Sequence, residues 1–186
     1  MRRLCPWLLA LAGCAHAPVE SAAPGWKFLN ASQRTEEIQF RTDQRLRRAT
    51  VTEVGARGPD LDLKRAQGKL QGTSYVDRPV ELELKGNEMV GRVAGDSFDL
   101  TLTPDGSETR ATGLVAGLPS TFWLSPGRIR GSIGQCSFDL VWGAASYSGA
   151  RTCGPQSDVV TLLLPPALAS WSDPEVASLL AIFAQR

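Results

Sequence analysis

The sequence predicts an all-β fold: an antiparallel meander of about twelve short strands, barrel- or sandwich-like, followed by one C-terminal amphipathic helix. Three observations predict it. Apolar and polar residues alternate with a period of two over many short segments. A pattern of roughly 20 residues recurs along the chain. Tight Gly-, Pro-, Ser- and Asp-bearing turns separate the alternating segments and leave no room for crossover helices.

The first residues belong to targeting and are set aside from the fold. Arg2 and Arg3 precede a brief apolar run, Trp7 to Ala12, too short to cross a bilayer as a helix. The run ends in Leu11-Ala12-Gly13-Cys14. An aliphatic residue, two small residues and a Cys in that order resemble the lipobox of bacterial lipoprotein precursors. The resemblance covers residues 1–14 and implies cleavage before Cys14, a diacylglycerol on its sulfur and an acylated new N-terminus. Ala15 is not Asp, which by the same resemblance implies sorting to the outer membrane. The competing reading is an ordinary secretory cut after Ala15-His16-Ala17, which Pro18 disfavours. The expected organisation is a signal peptide over 1–13, a lipidated Cys14 and flexible Ala/Pro/Ser tether over 14–25, and one β-repeat domain over 26–186. Each buried methylene contributes about 0.8 kcal/mol, so an anchor of several acyl chains is a stable membrane partner.

Charge and cysteine usage agree with export. The formal charge is +1, and loss of Arg2 and Arg3 makes it −1. A nearly neutral body lacks the basic field that holds nucleic acid, so none is expected as a partner. Cys5 leaves with the signal and Cys14 carries lipid, so Cys136 and Cys153 remain to pair.

The repeat comprises six copies, each with a Gly followed by an alternating apolar pair. The pairs are Leu61/Leu63, Leu82/Leu84, Leu100/Leu102, Phe122/Leu124, Leu140/Trp142 and Leu162/Leu164. The glycines are Gly55, Gly72, Gly91, Gly113, Gly131 and Gly154. Copies three and five match best: Gly91 to Leu100 aligns with Gly131 to Leu140 at an offset of 40, sharing Ser-Phe-Asp-Leu. Val80, Leu82 and Leu84 alternate with Glu81 and Glu83, so one sheet face is buried and the other wet. Residues 36–54 add a weaker hairpin turning at Thr42-Asp43-Gln44, its alternation blurred by Arg45, Arg47 and Arg48.

A β-solenoid with one coil per copy is the alternative architecture. The cysteines argue for the meander. A hairpin centred between Ala144 and Ala145 pairs residues whose numbers sum to 289, placing Trp142 opposite Tyr147, Phe138 opposite Arg151 and Cys136 opposite Cys153. Paired strand residues have Cα atoms about 4.5–5.5 Å apart, a distance a disulfide spans. In the sister copy Cys136 aligns with Asp96 and Cys153 with about Thr112, a polar pair in place of the bridge.

Pro165-Pro166 ends the last strand. Ser172-Asp173-Pro174-Glu175 then reads as a capping box with Pro in the first turn, predicting a helix over about 173–185. Val176, Leu179, Leu180 and Phe183 form its apolar stripe, expected to pack on the sheet or plug one end of it.

The chemical inventory is short. His16, in the tether, is the single histidine, so His-based acid–base, nucleophile and metal chemistry is not expected in the body. No cofactor or metal is expected. Asp99, Asp139, the Glu81/Glu83 pair and the Asp60/Asp62 pair read as a solvated face before they read as a hydrolase or Ca²⁺ site. Of Trp26, Trp123, Trp142 and Trp171, Trp142 follows Phe138 and Leu140 onto the apolar face. Arg110 and Arg151 recur in the repeat; Arg151 either lies over Phe138 or is a surface charge. The expectation is a non-enzymatic envelope lipoprotein with a binding or structural role, its partner an envelope protein or glycan. A barrel carrier of an apolar ligand and a carboxylate-based hydrolase are the alternatives.

Overall fold

The computed structural model describes residues 29–32, 35–75 and 77–185. The strands, in chain order, are β1 (Glu37–Arg41), β2 (Leu46–Thr52), β3 (Gly55–Gly58), β4 (Leu61–Ala66), β5 (Lys69–Ser74), β6 (Arg78–Lys85) and β7 (Glu88–Val93). They continue as β8 (Asp96–Asp105), β9 (Glu108–Val115), β10 (Leu118–Leu124), β11 (Arg128–Ile133), β12 (Cys136–Gly143), β13 (Ser146–Cys153) and β14 (Gln156–Leu163). Each pairs antiparallel with its sequence neighbours, and β1 pairs with β14 through Gln39↔Leu163, Phe40↔Leu162 and Arg41↔Thr161. The meander therefore closes into a barrel, and the solenoid reading is overturned because consecutive strands share one sheet. The twelve strands of the repeats and the hairpin over 36–54 together make up the fourteen.

The period of two decides what faces inward. Phe98, Leu100 and Leu102 are buried while Asp99 is exposed; Val80 and Leu82 are buried while Glu81 and Glu83 are exposed. Hairpins turn mostly in two residues. At the β12–β13 turn Ala144 and Ala145 take φ of 50° and 68°, the mirror-image turn whose twist matches its strands. The register there is the one that sums to 289, with Trp142↔Tyr147, Phe138↔Arg151 and Cys136↔Cys153 all paired. The two cysteines form a disulfide with Cα atoms 4.2 Å apart, and both are buried.

The recurring glycines have a specific task in closing the wall. Gly91 lies opposite Leu82 and Phe98, and Gly113 opposite Leu100. Their φ angles are 151° and 149°, and a Cβ would fall 1.9 Å from the Glu81 carbonyl oxygen and 1.8 Å from that of Asp99. Only a residue without a side chain lets the strand kink inward this closely against its neighbour. The sixth position is Gly149, whose Cβ would fall 1.9 Å from the Asp139 carbonyl. Gly154, expected there from its spacing, lies instead in the β13–β14 turn with nothing within 4 Å. The counterpart of Cys153 is corrected likewise. Thr112 pairs with Thr101, and the residue brought to Asp96 is Gly117, whose Cβ would lie 3.7 Å from that of Asp96.

After β14 a 3₁₀ turn over Pro166–Ser170 and the buried Trp171 redirect the chain into helix α1 (Asp173–Ala184). An eight-stranded barrel is filled by its own side chains; fourteen strands enclose more space than side chains can fill. The helix fills it. At 1.5 Å per residue the 12 residues of α1 span about 18 Å. The amphipathic stripe expected of α1 is corrected: Pro174 to Ala184 are all buried, Ala177, Ser178 and Ala181 included. A helix inside a closed wall has no wet side, and Ala and Ser are the residues small enough for its close approaches.

Candidate functional site

The lumen is the feature to test for a site, and it is occupied and locked at both ends. At the end where α1 begins, the Glu175 carboxylate is almost fully buried. Its Oε2 accepts the Ser172 N–H at 2.7 Å and the Ser172 hydroxyl at 2.8 Å, closing the capping box that the sequence predicts. Its Oε1 accepts from Arg65 Nε of β4 at 2.9 Å. Burial alone would raise the Glu175 pKa, but the Arg65 and Ser172 hydrogen bonds and the Arg65 charge outweigh it, and the pKa is lowered. Arg65 also lies over the Trp171 ring at 5.6 Å, and Trp171 Nε1 donates to the Thr52 carbonyl at 2.8 Å.

At the opposite end Arg47 of β2 turns inward beside Ala49 and Val51 and is 3% exposed. Its Nη1 donates to the Phe183 carbonyl at 2.9 Å, to the Gln185 carbonyl and to the Tyr75 hydroxyl at 2.7 Å. Tyr75 in turn donates to the Ile182 carbonyl at 2.9 Å, and its ring lies 4.3 Å from the guanidinium. A cation thus sits at the negative end of the helix dipole and satisfies carbonyls the helix leaves orphaned. Burial raises the Tyr75 pKa to about 12, and it lowers that of Arg47. Between the clamps a gap of about 20 Å³ remains, lined by Phe40, Phe122, Phe138, Leu140, Leu180 and Phe183 among others. That is room for about one water and too little for a ligand.

The residues singled out from the sequence fall as follows. Cys14, His16, Trp26 and the tether lie outside the described residues. Cys136 and Cys153 are joined at the end where α1 terminates. The carboxylates spread over the outer wall rather than converge: Asp139 pairs with Arg128 at 2.7 Å and Asp62 with Arg57 at 3.3 Å, while Glu81, Glu83 and Asp99 face solvent. No group of three or more His, Cys, Asp or Glu suited to a metal occurs among the described residues. Trp123 stands on the outer wall with Arg110 and Arg130 at 5.5 and 4.5 Å from its ring and its Nε1 donating to Asp105 at 2.7 Å. Trp142 is half-buried on the edge of the buried Tyr147, with ring centroids 5.0 Å apart. Arg151 packs over Phe40, at 5.7 Å, and not over Phe138. Phe138 is its partner in register, but Phe40 arrives from β1 only when the barrel closes.

The sequence shows Arg47 only as a break in the alternation and gives Tyr75 no role. The available signal was parity: Arg47 occupies the strand position of Ala49 and Val51, and a charge on an apolar face calls for a buried partner. The outer wall carries Glu81, Glu83, Arg92, Asp99, Arg110 and Asp139, so polarity runs apolar inside and charged outside, the reverse of a membrane-spanning barrel. Together these features define a class: a fourteen-stranded antiparallel barrel plugged by its own C-terminal helix. Comparison with known protein families, curated proteins and solved structures finds no match.

Proposed function

We propose that the chain is an envelope lipoprotein, anchored through lipid on Cys14, whose plugged barrel is a non-catalytic body with a binding or structural role at the membrane surface. The observation that carries the reading is the occupied lumen. The space in which a barrel would hold a ligand is filled by α1, clamped by Arg65–Glu175 at one end and Arg47–Tyr75 at the other. What remains for recognition is the charged outer wall and the two rims.

The geometry supports an orientation. Ser32 N–H donates to the Leu164 carbonyl at 2.9 Å and Asn30 Nδ2 to the Pro126 carbonyl at 3.2 Å. The described chain therefore begins at the rim where α1 enters. In this reading the anchor precedes that rim in the chain, which turns that rim toward the membrane and the Arg47 rim away from it.

The test is Cys14→Ala in cells labelled with a fatty acid. The wild type is expected to fractionate with membranes and carry the label, and the variant to lose both. A variant that keeps both overturns the anchor. Crosslinking in the native envelope then identifies the partner, and recovery of the chain free of any specific partner counts against a binding role. A carrier of an apolar ligand is the second reading, favoured by the closed apolar wall; it requires α1 to leave the lumen. Saturable uptake of a fluorescent fatty acid by the native full chain would support it over the first.

A further inference from the structure

The rim where α1 ends carries more charge than the Arg47 clamp on the plug requires. Inward positions of β2, β13 and β14 are apolar along most of the wall, but at this rim each of the three strands turns a charged residue inward. Arg47, Arg151 and Asp158 all point inward here, and with Phe40, Thr42, Gln44, Arg45 and Gln156 they line an open basin of about 370 Å³. Three guanidinium groups face one carboxylate, a formal balance of +2.

Each charge has a defined state. Arg151 Nη2 pairs with Asp158 Oδ2 at 2.5 Å, both side chains being mostly buried, at 13% and 12% exposure. The Arg151 Nε is buried without a hydrogen-bond partner among the described residues. The Arg47 bonds given above go to a phenol and to carbonyls, none to a carboxylate. Arg45 and Arg151 act on Arg47 as like charges, and Asp60, outside the basin lining, acts on it as an opposite one. Arg45 is exposed at the lip, where its charge is free to swing over the opening.

We propose that this basin binds a phosphate group, presented as a phosphomonoester on a small envelope molecule. A carboxylate matches one guanidinium fork, and Asp158 already supplies one to Arg151. A phosphomonoester carries about −1.5 to −2 at neutral pH and three acceptor oxygens, which matches the balance of the basin and the three arginines. Phe40, with Arg151 over its ring, offers the apolar wall against which the carbon skeleton of the ligand lies. The orientation inferred above would turn this rim from the membrane, but the basin stands on its own geometry, and its failure leaves the Cys14 test untouched.

The experiment is calorimetric titration of the purified full chain, in detergent at low salt, with inorganic phosphate, a hexose phosphate, and a short-chain phosphatidic acid below its micelle concentration. Saturable binding is expected. Arg45→Ala should weaken it about tenfold, the loss of one charge-assisted contact, with Arg45→Lys in between. Asp158→Asn should tighten it severalfold, because it removes the one carboxylate among the lining residues. Arg45 is exposed, so its variants are expected to melt with the wild type and report binding alone. Preference for the hexose phosphate assigns a soluble or carbohydrate source, and preference for the phosphatidic acid a lipid headgroup; both support the site. No saturable heat with any of the three up to about 10 mM, or binding unmoved by Arg45→Ala, overturns it.

Discussion

Replacing Gly113 by Ala adds one methyl group to the inner side of β9 and tests how the wall closes. The added Cβ would fall 1.8 Å from the Asp99 carbonyl oxygen and 2.8 Å from its carbon, far inside contact distance. Both are backbone atoms of β8, which pairs with β9 on both sides of that point, so neither strand yields without losing ladder bonds. The φ of 149° is itself one that side chains seldom adopt. Overpacking costs about 1–3 kcal/mol and a strained backbone a similar amount, so Gly113→Ala should destabilise by about 3–5 kcal/mol. Gly106→Ala is the control: its φ of 62° is also left-handed, but nothing lies within 4 Å of the added Cβ. Its cost should be the left-handed penalty alone, about 1–2 kcal/mol. Urea unfolding followed by fluorescence reads both, since Trp171 is buried in the fold and exposed on unfolding. Equal midpoints for the two variants would refute the argument that the repeated glycines exist for strand-to-strand approach.

Three further predictions rest on the clamps and the bridge. The Glu175 pKa is depressed in the fold, so its contribution to stability is present above the ordinary carboxylate pKa and is lost as pH falls through the lowered value. Glu175→Gln should therefore cost about 2–3 kcal/mol at pH 7, after discounting for the quarter-exposed Arg65, and nearly nothing in strong acid; a cost independent of pH in urea titrations contradicts the assignment. The Tyr75 pKa is raised to about 12, so its contribution is complete below the unfolded pKa near 10 and fades as pH rises toward 12. Tyr75→Phe should flatten the alkaline limb of the stability curve, and an unchanged limb speaks against ionisation of Tyr75 there. Replacing both Cys136 and Cys153 by Ala opens a link between residues 17 apart and should lower stability by about 3 kcal/mol; thermal unfolding matching the reduced wild type, and below the oxidised one, is the expected result.

Much of the fold was legible because its causes are local. Alternation in Phe98, Leu100 and Leu102 reports burial whatever lies across the sheet. The Ala144-Ala145 turn carries the register of β12 and β13, and that register by itself puts Cys136 opposite Cys153. Ser172 and Glu175 close their capping box within one turn of helix. The errors share another origin. Gly154 fits the repeat by spacing, but Gly149 takes the kink, because the position depends on the carbonyl of Asp139 in the neighbouring strand. Counting along the repeat matches Thr112 to Asp96, while the β8–β9 pairing brings Gly117 there instead.

The sites divide in the same way. Cys14 rests on a contiguous signal, and the cysteine pair on one hairpin. The clamp at Arg47 joins β2, the β5–β6 loop and the end of α1, elements far apart in the chain. The basin at Arg151 needs β1 beside β14, which only closure provides.

Alternating residues, two-residue turns and a capped final helix are properties of neighbouring residues, and reading the chain was enough to establish strands, hairpins and their antiparallel order. Closure of the wall, the passage of α1 through it and the burial of that helix on every side were decided in three dimensions. The physical reason is that a helix carrying one apolar stripe satisfies an open sheet, whereas a ring of fourteen strands encloses a volume that has to be filled from within. The small residues that completed the circumference of α1, Ala177, Ser178 and Ala181, acquire that meaning only once the wall surrounds them.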